Sequence, residues 1–520
     1  MAGLGGFLKQ FGHYSIASLA VIVAGIISYP ILTRVLTVEE YGVMGAIVTL
    51  VTLAVAVSKM GLQVSIVRLY PEWARKEAGV TKFIFTLFAT TLTLATSCWL
   101  VGAVATVIAR PWIDGEVQFS FFILLASPLV VIRTLNNFGV SVFRATERSK
   151  LFAIFEVTSV YVAMILAVLG VTVVIGGLTG YYIGLVIGEG IVMLLIIATV
   201  LKGTRLTRSN LELGLVRETL GFGLPMALFE ACGVLFFMAD RFVILWLLDE
   251  RALGYSSVGY SLAMYVNNVF SESLDRAARP AYTNLYESEG PEATSEFLRK
   301  AIRLFLLFAL PAIAGMWIIR EDILVLLASE KFRPSASVVH LLLMGFLIYG
   351  SSALFGAGLF LKKQPWKMAG MDFLGAVLSI GLNILLVPYY NIQGAALGTV
   401  IAQTIVIVLL WLSGKRLVKT PVDVLPLLKY LFCAAAMATG CHFIDVGLLP
   451  VRLVLRILAG VVIYGGLVLA LDGEARALFV KIVDKVRGRL GGGGEGEGGE
   501  GGDGEGGSGE GGSGEGGQSM

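Results

Sequence analysis

Long apolar runs constrain this chain more than any other feature of its sequence. A bilayer core about 30 Å thick needs roughly 20 apolar helical residues. Fourteen runs near that length, each bounded by charged residues, Gly or Pro, predict an all-α integral membrane protein. The predicted spans are residues 13–32, 42–66, 82–108, 119–139, 151–171, 175–201, 218–248, 254–274, 299–319, 334–361, 366–388, 391–414, 423–443 and 452–472.

Composition supports the same class of protein. Of the 520 residues 56% are hydrophobic and only 15% are charged, too few charges for the surface of a soluble protein of this length. A soluble multidomain enzyme is therefore excluded. We expect no nucleic-acid partner, because no basic block is interleaved with aromatic residues. We expect no metal site, because the four cysteines lack metal-ligand spacing.

The distribution of basic residues predicts the orientation in the membrane. With the N-terminus inside, 29 of the 40 Lys and Arg fall in cytoplasmic segments, eight fall outside, and three lie within spans. Short cytoplasmic loops collect Lys and Arg. We therefore expect a multi-pass plasma-membrane protein with both termini in the cytoplasm.

An internal repeat organises the spans. FGHYSIAS from Phe11 corresponds to FGLPMALF from Phe222, and RLYPE from Arg68 corresponds to NLYES from Asn284. The offset stays between 211 and 216 residues, or six spans, and an even number of spans preserves orientation. The repeat predicts two parallel six-helix bundles followed by two further helices. The predicted segments are a first bundle 1–205, a second bundle 206–416, two helices 417–474, a basic cytoplasmic segment 475–490 and a disordered Gly/Glu-rich tail 491–520.

Polar residues concentrate in spans 1, 2, 7 and 8, which are equivalent pairs in the two repeats. Ionisable groups in the membrane need a partner or a water-filled cavity, so we predict that these spans line a lumen. The alternative, strongest for Lys59 and Arg279, is that such groups pair with each other or extend to the interface. The candidate lumen residues are Lys59, Arg68, Glu230, Asp240, Arg241, Asn268, Glu272, Asp275, Arg276 and Arg279.

The seventh and eighth spans also carry a family resemblance. FGLPMALFEACGVLFFMADRFVILWLL followed by ALGYSSVGYSLAMYV, together with LTVEEYG after span 1, resembles the polysaccharide repeat-unit exporters. These are Wzx-type lipid-linked oligosaccharide flippases, in the superfamily that also contains the multidrug and toxin extruders. The resemblance covers about residues 8–472. It implies a fold like that of the extruders (MATE-like) and a transporter rather than an enzyme.

The resemblance also implies a substrate, a glycan on an isoprenyl phosphate or diphosphate, moved from the inner to the outer leaflet by alternating access. The headgroup is an anion, and the basic candidates are the fixed countercharges on the predicted lumen, so we expect them and Asn268 to bind it. We expect Glu230, Asp240, Glu272 and Asp275 to be charge partners or ion-coupling residues. We expect Glu230 to neutralise Arg241 when no substrate is bound.

Further expectations concern cofactors and partners. No cofactor is expected, and Glu230 would couple transport to H⁺ or Na⁺ by taking up the ion during the return step. The partners would be membrane lipids and the lipid-linked glycan, with a monomer that can associate with glycan-assembly proteins. The arginines that lipid II flippases place within span 1 are absent here. Their absence argues against a peptidoglycan precursor as the substrate.

Two alternatives remain open. The first is a cation-coupled multidrug or small-molecule exporter of the same superfamily, although fourteen spans rather than twelve favour a flippase. The second is a membrane glycosyltransferase or polymerase. That class needs a sizeable extramembrane region with catalytic carboxylates, and the longest predicted internal loop, residues 275–298, is short for it.

Overall fold

The structure of most of the chain is given by a computed structural model. Side chains are described from residue 19 onward, with residues 272 and 273 excepted. The acidic tail 491–520 lies outside the described residues, as does the segment 475–490 apart from residues 475–477 and 480. The described residues are 4–76, 79–114, 118–204, 207, 210–477 and 480.

All of the regular secondary structure in the described residues is helical. In the predicted first bundle, the α-helices are α1 (Leu4–Val35), α2 (Val38–Ser58), α3 (Leu62–Trp73), α4 (Gly79–Ile113), α5 (Phe119–Ala126), α6 (Pro128–Ala145), α7 (Ser149–Leu169) and α8 (Gly177–Leu201). A π-helical turn, Gly170–Val174, follows α7.

The second bundle and the two helices after it continue the pattern. Their α-helices are α9 (Leu213–Met238), α10 (Asp240–Leu247), α11 (Glu250–Ser288), α12 (Gly290–Leu327), α13 (Ala336–Gly350), α14 (Ser352–Phe355), α15 (Ala357–Leu361), α16 (Pro365–Gly414), α17 (Val424–His442) and α18 (Leu449–Leu471). A 3-10 turn, Glu330–Ser335, precedes α13. The loop predicted at residues 275–298 is instead formed by the ends of α11 and α12, so no separate extramembrane domain lies there.

Eleven helical stretches in the described part are long and apolar enough to cross a membrane. Two predicted spans run together in α16, where the merged helices meet at a kink at Asn391, with φ 51°. The sequence of α11 is too polar to count, and α1 contributes only the shorter apolar stretch Leu19–Val35. The helical, membrane-spanning class is thus confirmed, and the number fourteen stays a prediction.

The predicted span 42–66 is broken into α2 and α3. The backbone between them takes positive φ at Met60 and Gly61, 43° and 68°. Glycine adopts this left-handed region without strain. A Cβ on Gly61 would lie 2.1 Å from the carbonyl oxygen of Gly223 in α9. Only a residue without a side chain allows α9 to approach so closely, so the break brings the two repeats into contact.

A second close contact joins the repeats at the first turns of α2 and α11. A Cβ on Gly42 would lie 2.0 Å from the carbonyl oxygen of Glu250, and one on Gly254 would lie 2.1 Å from that of Val38. The contact is reciprocal, because residues 38 and 42 correspond to 250 and 254 at an offset of 212. By the predicted orientation these turns lie at the outer surface.

The helix starts at this contact are capped. Thr37 forms a capping box with Glu40, and Asp249 accepts a hydrogen bond from the Ala252 backbone. Such caps stabilise a helix end by about 1 kcal/mol. Arg251 forms an exposed ion pair with Glu39 at 3.7 Å. We refer to the contacts of α1, α2 and α3 with α9, α10 and α11 as the seam.

Two arginines of α18 converge on one aspartate of α12. Asp322 is 3% exposed, and its two oxygens accept from Arg452 at 2.6 Å and from Arg456 at 2.8 Å. Contacts group the described residues up to 466 into one compact unit, and the described residues from 467 onward fall outside it. The seam and this cluster lie in that unit, which contains both repeats, so the boundaries predicted at residues 205 and 416 stay predictions.

Candidate functional site

A cavity of about 500 Å³, lined by both polar and apolar side chains, lies against the seam. Residues of α1, α2, α6, α7 and α8 line it, and Glu230 of α9 adds one residue from the second repeat. Lys59, directly after α2, also faces it. Its polar lining consists of Ser28, Thr52, Lys59, Arg133, Asn136, Asn137, Ser159, Tyr181, Glu189 and Glu230.

One ion pair in the cavity joins the two repeats. The Lys59 ammonium donates to Glu230 Oε1, and Gln63 Nε2 donates to Glu230 Oε2 at 2.9 Å. The Lys59 side chain is 11% exposed and that of Glu230 is 33% exposed. Lys59 adjoins the break where Gly61 meets Gly223. The close backbone approach therefore explains why the ammonium reaches a carboxylate of the opposite repeat.

A second ion pair lies wholly within the first repeat. Arg133 Nη2 donates to Glu189 Oε1 at 2.7 Å, and its Nε donates to Oε2 at 2.9 Å. Bidentate pairs of this kind are geometrically specific and stronger than single contacts. Neither residue of this pair is among the site residues predicted from the sequence. An arginine and a glutamate in different spans of one repeat are the available signal, because each needs a neutralising partner.

Amide and hydroxyl groups complete the polar lining. Asn137 Nδ2 donates to the carbonyl of Arg133 at 2.8 Å, whereas Asn136 Oδ1 is buried without a hydrogen-bond partner in the described part. Behind the lining, the buried side chains of Ser58 and Thr134 hydrogen-bond at 2.5 Å and so connect α2 to α6. The cavity therefore contains two ion pairs, and within each pair the two charges cancel. It also contains uncharged hydrogen-bond donors and acceptors.

Arg241 occupies a different place from the expected one. It is 5% exposed and does not line the cavity. Its Nη1 donates to the Gly45 carbonyl at 3.1 Å and to Thr49 Oγ1 at 3.0 Å, and its guanidinium lies 4.4 Å from the Tyr260 ring centroid. Arg241 thus connects α10 to α2 within the seam.

The expected pairing of Glu230 with Arg241 is wrong for this structure. The two residues are eleven positions apart, about 16 Å along a helix, beyond the reach of a direct contact. The helix is also interrupted at Ala239 between α9 and α10. Lys59 of the neighbouring span lies within reach of Glu230 and takes its place. Asp240 is 4% exposed, and its Oδ1 has no hydrogen-bond partner among the described residues.

The remaining predicted residues whose side chains are described do not line this cavity. Arg68 is exposed and stacks on Phe222 at 4.2 Å. In α11, Arg279 pairs with Asp275, Arg276 is exposed and Asn268 is half-buried. The Glu272 side chain lies outside the described residues.

The described residues contain no preformed group of metal ligands that would support coupling to an ion. No three His, Cys, Asp or Glu side chains there converge as metal ligands. The two carboxylates of the cavity, Glu189 and Glu230, both face basic partners. Coupling to H⁺ or Na⁺ therefore stays a prediction.

Comparison with protein families and sequences gives the first direct relationship. The family model described as "Polysaccharide biosynthesis protein" matches residues 31–337, more than half of the chain. Over 243 residues the chain is 24% identical to the "Probable flippase AglR" of Haloferax volcanii, a match covering 44% of this chain and 51% of that protein. Matches to its relatives span between 35% and 52% of those proteins' lengths.

Solved structures share the fold over a greater length. A lipid II flippase, MurJ, in an inward closed conformation superimposes with a TM-score of 0.76 at 16% identity, covering 90% of this chain and 99% of that one. An inward-facing multidrug resistance MATE transporter superimposes with a TM-score of 0.63 at 15% identity, covering 77% and 94%. At these identities the likeness shows the fold alone.

The comparisons agree with the resemblance read from the sequence. The relative and both structures carry the names of flippases or transporters rather than enzymes. The family match includes most of the seam and every residue that lines the cavity except Ser28. The chain therefore belongs to the polysaccharide biosynthesis protein family, and it has the fold shared by the MurJ flippase and the MATE transporters.

Proposed function

We propose that this protein is a flippase for a lipid-linked oligosaccharide. It moves a glycan on an isoprenyl phosphate or diphosphate from the cytoplasmic to the outer leaflet by alternating access. The family description and the name of the Haloferax relative support this assignment. The observation that carries it is the cavity in which the ion pair of Lys59 and Glu230 joins the two repeats.

The lipid phosphate binds Lys59 in place of Glu230. Lys59 is neutralised by the opposite repeat, whereas Arg133 is held by two hydrogen-bonded carboxylate oxygens of its own repeat. Glu230 is also the more exposed carboxylate, at 33% against 11% for Glu189. An arriving anion therefore displaces Glu230 more easily than Glu189. This exchange removes a charge-assisted contact between the repeats, so substrate binding favours their separation.

Alternating access uses the two glycine contacts of the seam. Gly42 and Gly254 close it at the first turns of α2 and α11, and Gly61 and Gly223 close it beside Lys59. Separation at one contact while the other stays closed exposes the cavity to one side of the membrane. With the predicted orientation, the contact at Gly61 opens toward the cytoplasm and the contact at Gly42 toward the outside.

Glu230 is the proposed coupling residue. Once phosphate occupies Lys59, the released carboxylate takes up H⁺ or Na⁺, and it gives up that ion when it returns to Lys59. Arg68, Arg276 and Arg279 form an approach for the headgroup on the cytoplasmic side. Arg241 positions α2 against α10 rather than contacting the headgroup in the described cavity.

The location and partners follow from the same assignment. The protein acts in the plasma membrane with both termini in the cytoplasm, as a monomer that receives its substrate from glycan-assembly proteins. A multidrug exporter fits less well, because the matching family model is described as a polysaccharide biosynthesis protein and the Haloferax relative is named as a probable flippase.

The test replaces the residues of the ion pair that joins the repeats. Cells that depend on this protein for export would carry Lys59→Ala, Lys59→Arg or Glu230→Gln at equal expression. We expect Lys59→Ala to reduce export by about tenfold or more and Lys59→Arg to retain part of it, because arginine also binds phosphate. Glu230→Gln should slow the cycle more than it weakens binding. The measurement is lipid-linked glycan remaining on the cytoplasmic face.

A matched control is available outside the cavity. Lys82 and Glu212 form an ion pair of the same chemistry at 2.6 Å, with side chains 35% and 37% exposed. Lys82→Ala should leave export unchanged. Normal export by Lys59→Ala would refute the proposed binding role. An equal loss of export in Lys82→Ala would show that removal of any ion pair in this region reduces export to the same extent.

A further inference from the structure

One wall of the cavity belongs entirely to the first repeat. We call it the first-repeat wall, and it combines an ion pair with amide and hydroxyl groups. Its polar side chains are those of Arg133, Asn136, Asn137, Ser159, Tyr181 and Glu189. Lys59 lines the same cavity, so a phosphate on Lys59 brings the sugar attached to that phosphate toward this wall.

The charges of the first-repeat wall cancel. Arg133 and Glu189 are its two charged residues in the described part, and both carboxylate oxygens accept hydrogen bonds from the guanidinium. The Glu189 side chain is 11% exposed and that of Arg133 is 30% exposed. The wall therefore has no unpaired charge to offer a ligand.

On the basis of the proposed function, we propose that the first-repeat wall binds the sugar next to the lipid phosphate and selects an uncharged sugar. Hydroxyl groups of such a sugar both donate and accept, as do the amides of Asn136 and Asn137. Both amides belong to residues that line the cavity, and Asn137 Nδ2 has a second N–H besides the one that it donates to the Arg133 carbonyl.

An acidic sugar is excluded by the same arrangement. Its carboxylate enters a partly dehydrated cavity beside Glu189, where like charges repel and water screens them poorly. The guanidinium that would neutralise it is already bound at two points. Breaking that pair leaves Glu189 without a partner at a largely buried position. A uronic acid next to the phosphate is therefore a poor substrate.

The volume of the cavity agrees with a sugar-sized ligand. At about 500 Å³ it falls within the roughly 300–1,000 Å³ of small-molecule sites. Apolar residues such as Leu32, Val55 and Met164 share the lining. They provide surface for the apolar faces of a sugar ring, while the polar side chains contact its hydroxyls.

The experiment measures a ratio of transport rates in liposomes containing the full-length protein. The two probes are a polyisoprenyl phosphate bearing glucose and the same lipid bearing glucuronic acid. We expect the unmodified protein to favour the glucose lipid by about tenfold or more. Glu189→Gln leaves the charge of Arg133 unbalanced, so we expect it to raise glucuronate transport and lower the ratio by about tenfold.

Two further variants separate charge from loss of structure. The double variant Arg133→Gln/Glu189→Gln keeps the wall neutral and should retain the preference for glucose. Asp372→Asn removes a buried carboxylate of the second repeat that accepts from Tyr349 at 2.9 Å and does not line the cavity. It should leave the ratio unchanged even if it slows transport, because a ratio is insensitive to the amount of active protein.

The outcomes distinguish this inference from the function on which it rests. Failure of the unmodified protein to move either lipid would overturn the proposed function. Equal transport of the two lipids by the unmodified protein would overturn the charge selection alone. An unchanged ratio in Glu189→Gln, or an equal change in Asp372→Asn, would also refute the role of the first-repeat wall.

Discussion

Replacing Gly42 by alanine should hold the outer end of the seam apart. The new Cβ would lie 2.0 Å from the carbonyl oxygen of Glu250, whereas a carbon and a carbonyl oxygen in contact are about 3.3 Å apart. The obstacle is backbone, which cannot rotate away. The first turns of α2 and α11 must therefore separate by roughly 1.3 Å along this contact.

The size of the effect follows from the cost of overpacking. An added methyl group in a closely packed position costs about 1–3 kcal/mol, which corresponds to a shift of about 5-fold to 150-fold in the equilibrium between closed and open outer ends. Gly254→Ala should behave alike, because its Cβ would lie 2.1 Å from the carbonyl oxygen of Val38. Both variants should export more slowly because the outer end closes less often.

Cross-linking can measure the closed fraction. Glu39 Oε1 and Arg251 Nε lie 3.7 Å apart at the outer ends of α2 and α11, with side chains 45% and 64% exposed. Cysteines at these two positions, with the native cysteines replaced by alanine, should be joined by a bifunctional thiol cross-linker that spans the length of the two original side chains when the outer end is closed. Gly42→Ala should lower the rate of cross-linking by up to the factor given above.

The control must separate the contact from the change in helix propensity. Alanine stabilises a helix over glycine by about 1 kcal/mol, and this gain applies equally to Gly102→Ala in α4. A Cβ on Gly102 meets nothing within 4 Å. Undiminished cross-linking in Gly42→Ala would refute the reasoning, and an equal decrease in Gly102→Ala would assign the effect to helix stiffness.

Three further predictions test orientation, tail and packing. A cysteine at Lys363 should be labelled only from the cytoplasm and one at Lys331 only from outside; reversed labelling at either would overturn the span count. Truncation at Gly491 should leave export intact, and a correctly inserted but inactive protein would contradict this. Asp322→Asn should destabilise the fold by about 3 kcal/mol, because two arginines lose a buried partner. An unchanged thermal midpoint in detergent would contradict the packing of α18 on α12.

The sequence identified the residues of the ion pair that joins the repeats, but not their pairing. Lys59 and Glu230 stand out as ionisable groups within apolar sequence, and that signal is local. Their contact depends on the approach of Gly61 to Gly223. Helical periodicity within one span cannot predict it, since the approach arises from packing between spans far apart in sequence.

The same limit explains why the first-repeat wall was missed. Arg133 and Glu189 are separated by 56 positions and belong to helices whose facing sides are set by packing of the bundle. The spans themselves were easier to predict, because the length of an apolar run is a local property. The division of span 42–66 was harder, since it depends on the backbone angles of Met60 and Gly61.

The contacts around Lys59 also bear on the electrical insulation of the membrane. A transporter that wetted its cavity from both sides at once would let small ions run down their gradients. With no substrate bound, the Lys59–Glu230 pair and the touching backbones at Gly61 and Gly223 fill the seam at one level. The empty protein is therefore expected to be a poor ion conductor, so that a cell can keep many idle copies without dissipating its membrane potential.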